Sequence, residues 1–363
     1  LEAGALGLSS GLAYAPGPYA PLHELVDLGS MVGRCGGIYT SHIRNQTAGI
    51  AQAVEEVVAV GRQGDVRAHV SHMQPGAPRL GCAAELLERL VQVRQEGVDL
   101  SCDAIPYTVG STTLKSLLPP WALEGGDGAL LRRLKDPHER ERMKADTLEF
   151  GAESGGSRKR NLVRQGQWDL IWLGTVERHP ELAGKSFAEI GRARGQDPHD
   201  ALLDVLVEEE ARPWMLAQDV SEEDFASIAG HPLGGVISDG FSLAPDGPLA
   251  GGRHHPRSYG ALPRFLRRAV REAGWLSWEE AIRKLSGFPA SRFGLHGRGL
   301  LRPGFCADIV VLSPERLADR ADFAAPERYP EGVAYVLVNG EVAVEDGRLL
   351  GRLAGRVLRR GEG

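Results

Sequence analysis

The sequence is too poor in cysteine for a disulfide framework. Its four cysteines (Cys35, Cys82, Cys102, Cys306) show no CxxC spacing, so they read as buried small hydrophobes in a reducing, cytoplasmic setting. No apolar run approaches the ~18 residues of a membrane-spanning helix, and the opening LEAGALGLSS lacks the basic residues of a signal peptide. An initiator methionine is absent too, and the chain reads as beginning inside a longer protein. Positive charge is not in excess. A net charge of −6 argues against a nucleic-acid surface, and the one dense basic run, Arg158-Lys159-Arg160, reads as a solvated loop. No phosphate-cradling glycine motif, internal repeat beyond a βα rhythm or low-complexity tract is present.

What the 363 residues do contain is room for one large α/β barrel or two to three smaller domains, and two β-like runs that each end in Ser-His. GGIYTSHIR closes on His42 and VRAHVSHMQ on His72, 30 residues later (72 minus 42). Two-residue periodicity puts Ile38, Thr40 and His42 on one strand face, and Val66, Ala68, Val70 and His72 on another. Between them Ile50, Val54, Val57 and Val58 recur at helical spacing, so the unit is strand, helix, strand. Successive strand ends of this kind lie side by side on the C-terminal face of a parallel barrel, where two neutral imidazoles can bind one metal. His69 falls on the opposite face from His72 and reads as structural.

Along the chain, helices are expected at about 22–35, 48–63 and 81–96, and VDLSCDAIPYT forms a strand ending at Pro106-Tyr107. The rhythm then breaks. The stretch from about 108 to 167, with its double proline and glycine-rich GAESGGSRKR, reads as a lid with a mobile centre near Gly155-Gly156. Strand character returns in WDLIWLGTV, and GGVISDG is a short buried strand ending in Asp239, with His254, His255, Arg257 and Tyr259 crowded just beyond. From about residue 290 the texture is all-β, and Asn339-Gly340 joins two alternating runs as a type I′ hairpin.

These residues resemble the N-acyl-D-amino-acid deacylases, or D-aminoacylases, of the amidohydrolase superfamily. The likeness rests on GALGLSSGLAYAPG, GGIYTSHIRN, the VSH strand, CDAIPYT with LLPPW, SDG, HPRSYG, RGLLRPGFCADIVVL and VNGEVAVEDG, in that order. It implies a (β/α)8 TIM-like barrel, incomplete at its N-terminus, over residues 1–289, and a small C-terminal β-sandwich over 290–363. By resemblance His42 and His72 are zinc ligands, Asp239 is the catalytic aspartate and a further metal contact, and Tyr107 meets the substrate. Arg44, Lys115 and Arg257 are candidates for a substrate carboxylate, a group that suits guanidinium and ammonium cations. The implied reaction is zinc-dependent hydrolysis of an N-acyl-D-amino acid, a small-molecule partner, with no nucleic acid or membrane involved. The family's His-x-His and zinc-binding cysteine are not found in this chain, and Gln74 stands where family members commonly carry lysine. Opening of a cyclic amide in the manner of hydantoinases and dihydroorotases is the rival chemistry, although EAGALGLSSGL offers no lysine to bridge metals. A non-catalytic partial barrel is the rival from a different class.

Overall fold

In the computed structural model, residues 1–149, 157–249 and 253–361 are described. Alternating strands and helices build a five-stranded parallel sheet from β1 (Gly7–Gly11), β2 (Ile38–His42), β3 (Arg67–Ser71), β4 (Leu100–Ala104) and β8 (Gly234–Val236), in that spatial order. Helices α1 (Leu22–Arg34), α2 (Ile50–Gln63) and α3 (Ala83–Gln95) make the crossovers. In α2, Ile50, Val54, Val57 and Val58 are all at most 1% exposed, which is the apolar stripe that the spacing predicts. They share one core with Val70, Leu100 and Cys102 of the strands and Leu86 and Leu90 of α3. Close strand packing at the start of β1 depends on Gly7, where a Cβ would stand 2.0 Å from the Ile38 carbonyl oxygen.

Among the described residues this sheet stays open, with β1 and β8 at its edges. A closed parallel barrel takes about eight strands, and the segment expected to supply more of them goes elsewhere. After Tyr107 the chain forms β5 (Val109–Thr113), β6 (Ile171–Leu173) and β7 (Trp214–Gln218), an antiparallel sheet in the order β5-β7-β6. This unit has its own core, built on Leu114, Leu130, Phe187, Leu202 and Met215 among others. The excursion expected at 108–167 therefore extends to about residue 218, because WDLIWLGTV pairs with β7 and not with the parallel strands. Gly155 and Gly156 lie outside the described residues.

The C-terminal region is a single four-stranded antiparallel sheet, β9 (Ile309–Leu312), β10 (Val333–Val338), β11 (Glu341–Glu345) and β12 (Arg348–Leu349). A second facing sheet, as a sandwich requires, is not formed by the described residues. Asn339 and Gly340 take φ of 49° and 86° at the β10–β11 turn, the conformation that a type I′ hairpin needs. No helix among the described residues is long and apolar enough to cross a membrane.

Candidate active site

Parallel pairing of β2 with β3 aligns His42 with Ser71, so His72, one residue further on, emerges beside His42. His42 Nδ1 and His72 Nε2 lie 2.9 Å apart, and the rings meet edge to face with centroids 4.4 Å apart. One nitrogen donates to the other, so at least one imidazole there is neutral. Burial first, then the neighbouring His72, Arg158 and Lys159, hold His42 well below the usual imidazole range. Burial also lowers His72, partly offset by the negative charge of Asp239. Neutral imidazole is the form that ligates metal.

His72 reaches this position through a φ of 35°, a conformation that costs a non-glycine residue about 1 kcal/mol or more. Asp103 holds it there. The His72 backbone N–H donates to Asp103 Oδ1 at 2.5 Å, and Asp103 Oδ2 meets His69 Nε2 at 2.7 Å. His69 Nδ1 in turn meets Ser101 Oγ at 2.7 Å, so His69 is a buried support. Its pairing with Thr40, however, puts it on the face of Thr40 and His42, while Val70 on the other face packs into the core with α2, the reverse of the faces expected for β3. From the other side Gln46 Nε2 donates to the His72 carbonyl at 2.8 Å. Removing the carboxylate in Asp103→Ala leaves two buried donors or acceptors unpaired, and urea unfolding should show a loss of about 2–4 kcal/mol. Asp103→Asn should cost less than about 1.5 kcal/mol, because the amide oxygen can serve His72 while His69 changes tautomer. Equal losses in the two variants would contradict this arrangement.

The histidines open onto a cavity of about 450 Å³, lined also by Tyr14, Trp214, Asp239, Phe241 and Arg257. The Tyr14 ring lies 4.8 Å from that of His42, and Thr112 Oγ1 donates to its hydroxyl at 3.1 Å. Asp239 follows β8 with a φ of 49°, and its Oδ2 pairs with an Arg257 guanidinium nitrogen at 2.8 Å. Arg257 is 6% exposed, and its backbone N–H donates to His255 Nδ1 at 3.0 Å.

Three of the expected substrate contacts are not among the lining residues. Tyr107 is buried, with its ring against His255 and under the Arg264 guanidinium, and its hydroxyl has no hydrogen-bond partner among the described residues. Burial pushes that phenol above its ordinary range. Arg44 donates to Glu56 and to the carbonyls of Pro18 and Ala20, and so staples the Tyr14–Pro21 turn segment. Lys115 pairs with Asp127 at 2.5 Å. Each of these cations has an acid within about a dozen residues of sequence, and that local pairing keeps it from the cavity. Gln74 is fully buried and bridges the N–H and carbonyl of Ile105 at 2.9 and 3.0 Å.

Residues 176–344 match the amidohydrolase family. Over 361 residues the sequence is 31% identical to D-aminoacylase of Alcaligenes xylosoxydans xylosoxydans, covering 99% of this chain and 62% of that protein. Residues 176–344 thus carry an amidohydrolase-family domain. The chain is also 34% identical, over 362 residues, to the N-acyl-D-glutamate deacylase of the same organism, again covering 62% of it. A solved structure of N-acyl-D-glutamate deacylase from Bordetella bronchiseptica, with zinc and a phosphonate inhibitor, superposes with a TM-score of 0.76 at 32% identity, over 99% of this chain and 64% of that one. The chain thus spans a little over three-fifths of the length of these relatives.

Several site residues of this chain escape sequence reasoning. Asp103 leaves one signal, an acid inside the otherwise apolar or small strand LSCDA. Tyr14, Trp214 and Phe241 leave none, since they come from three separate loops and strands. The basic run is the largest correction: Arg158, Lys159 and Arg160 are 8%, 5% and 7% exposed, so it is no solvated loop. Asp219, just past β7, draws Arg158 and Lys159 inward.

Proposed function

We propose that the protein is a zinc-dependent deacylase that hydrolyses N-acyl-D-amino acids to a carboxylate and a D-amino acid. The observation that carries this reading is the convergence of two lowered-pKa imidazoles from adjacent parallel strand ends on a cavity that also holds an aspartate–arginine pair. The D configuration rests on the similarity to D-aminoacylase. In this reading the parallel layer within residues 1–289 is part of a barrel-type scaffold, the unit that follows Tyr107 covers its strand ends, and residues 290–363 form an accessory β domain.

The donor set fits a metal in part. Two nitrogens on one tetrahedral zinc stand about 3.3 Å apart, and the 2.9 Å between His42 and His72 needs only a small ring movement to match. Among the described residues no cluster of three histidine, cysteine, aspartate or glutamate side chains converges, and catalytic zinc usually takes three protein ligands. His42 and His72 would hold the ion, with Asp239 as the nearby acid. Zinc bound there supplies Lewis-acid polarisation of the acyl carbonyl and acidifies water.

The rest of the chemistry belongs to the side chains. Asp239 accepts the proton of the attacking water and returns it to the leaving amine, general acid–base work by one carboxylate. Arg257, rigid and buried, presents a planar fork suited to the substrate's α-carboxylate. It also keeps the Asp239 carboxylate oriented until substrate arrives. Tyr14, Trp214 and Phe241 give the cavity apolar walls. Release of free D-amino acid from N-acetyl-D-amino acids by the zinc-loaded protein, with the L-enantiomers cleaved at most about one-tenth as fast, is the expected outcome of a chiral amine assay. Absence of cleavage of any N-acyl amino acid would end this reading.

A further inference from the structure

The basic run that follows the glycine-rich stretch has no part in the hydrolysis just described, yet it is buried where cations are expensive to keep. Arg158 Nε donates to Asp219 Oδ2 at 2.5 Å, and Lys159 Nζ lies 3.3 Å from the same oxygen. Asp219 is itself buried, so in this triad two cations share one carboxylate and one positive charge is left over. That charge is not lost in the core, because Arg158 and Lys159 line the same cavity as His42 and His72. The cavity wall is shaped to admit the ammonium: at Gly110 a Cβ would stand 2.8 Å from Lys159 Nζ, so any side chain there would displace it. Burial lowers Lys159 to about 8, which leaves it charged at neutral pH. Of the ionised residues lining the cavity, three are cations (Arg158, Lys159, Arg257) and one, Asp239, is an acid. A single α-carboxylate at Arg257 leaves the Arg158–Lys159 wall without an anion.

We infer that Lys159 and Arg158 form a second anion-recognition site in this pocket, which takes a carboxylate of the substrate other than its α-carboxylate. The inference rests on the deacylase reading for what the substrate is, but its test reads binding and not turnover. The second carboxylate can sit on the amino-acid side chain or on the acyl group, and the two sources are separable. Calorimetric titration compares N-acetyl-D-glutamate with its neutral isostere N-acetyl-D-glutamine, and N-succinyl-D-alanine with N-succinamoyl-D-alanine. One of the two acids should bind at least about tenfold tighter than its isostere, the worth of one charge-assisted hydrogen bond, and the arm that discriminates names the source. Lys159→Met should bring that ratio to about one while the neutral isostere's affinity moves less than about twofold. Lys159→Arg keeps the charge and should keep much of the ratio. Gly110→Ala leaves the cation in the chain but closes its niche, and should lower the ratio without touching Lys159 itself, so a folding failure of Lys159→Met does not remove the test.

Equal affinities within both pairs, no binding in either pair, or a ratio unchanged in both Lys159→Met and Gly110→Ala would each overturn the inference. The deacylase reading fails separately. A dicarboxylate preference without amide cleavage would remove that reading and leave the anion site standing, whereas cleavage without discrimination would do the reverse.

Discussion

Asp239→Asn should lower kcat on an N-acetyl-D-amino acid by about 10²- to 10⁴-fold, the usual worth of a positioned general acid–base, while zinc per chain stays nearly unchanged. The substitution keeps the shape at the end of β8 and removes only the basic oxygen. It also removes the charged partner of Arg257, whose guanidinium nitrogen lies 2.8 Å from Asp239 Oδ2. With no opposing charge beside it, Arg257 gains capacity for the substrate carboxylate, so KM should stay level or fall. A loss confined to kcat is the signature of an interaction made in the transition state. If Asp239 also touches a second, weaker ion, metal content would drop by that site alone. Near-normal kcat in this variant would leave Asp239 as a turn residue, consistent with its φ of 49° alone.

His42→Ala should behave differently, losing zinc and turnover together. Loss of outer hydrogen-bond partners of metal ligands already costs about 10- to 100-fold in affinity, so deleting a ligand should exceed about 100-fold. The substitution also removes the partner of His72, which sits 2.9 Å away at Nε2, and leaves a half-occupied donor pair. Fold should survive, because His42 is the last residue of β2 and the core beneath it is carried by Ile38, Tyr39 and Ile43. A chain that keeps stoichiometric zinc without His42 would show that the metal sits elsewhere. The contrast between the two variants is more informative than either alone, since a merely destabilised protein would lose both properties in both variants.

Much of this site is legible in the sequence because it is built on periodic elements. The two Ser-His strand ends, the helix between them and the turn aspartate after GGVIS follow from local pattern, and parallel pairing does the rest. Barrel closure was not legible in the same way: strand character in WDLIWLGTV gives no hint of its partner, and it pairs antiparallel with β7. Charged residues were the least legible. Arg44 and Lys115 look as available as Arg257, and only folding shows that Glu56 and Asp127 engage the first two. Conversely, nothing local distinguishes Arg158 and Lys159 from solvated loop cations. Asp219, some sixty residues further on, decides their burial. Of the two tyrosines, Tyr14 lines the cavity beside His42, a position with no local signal, and Tyr107 packs against His255.

The most direct measurement is a zinc titration of metal-stripped protein, followed at once by bound zinc and by release of D-amino acid from an N-acetyl-D-amino acid. Turnover should be absent without metal, rise in proportion to zinc bound at the first equivalent, and fail to appear in His42→Ala at the same zinc concentration. Turnover that is independent of zinc, or zinc binding at the wild-type histidines with no amide cleavage at any occupancy, would contradict the account.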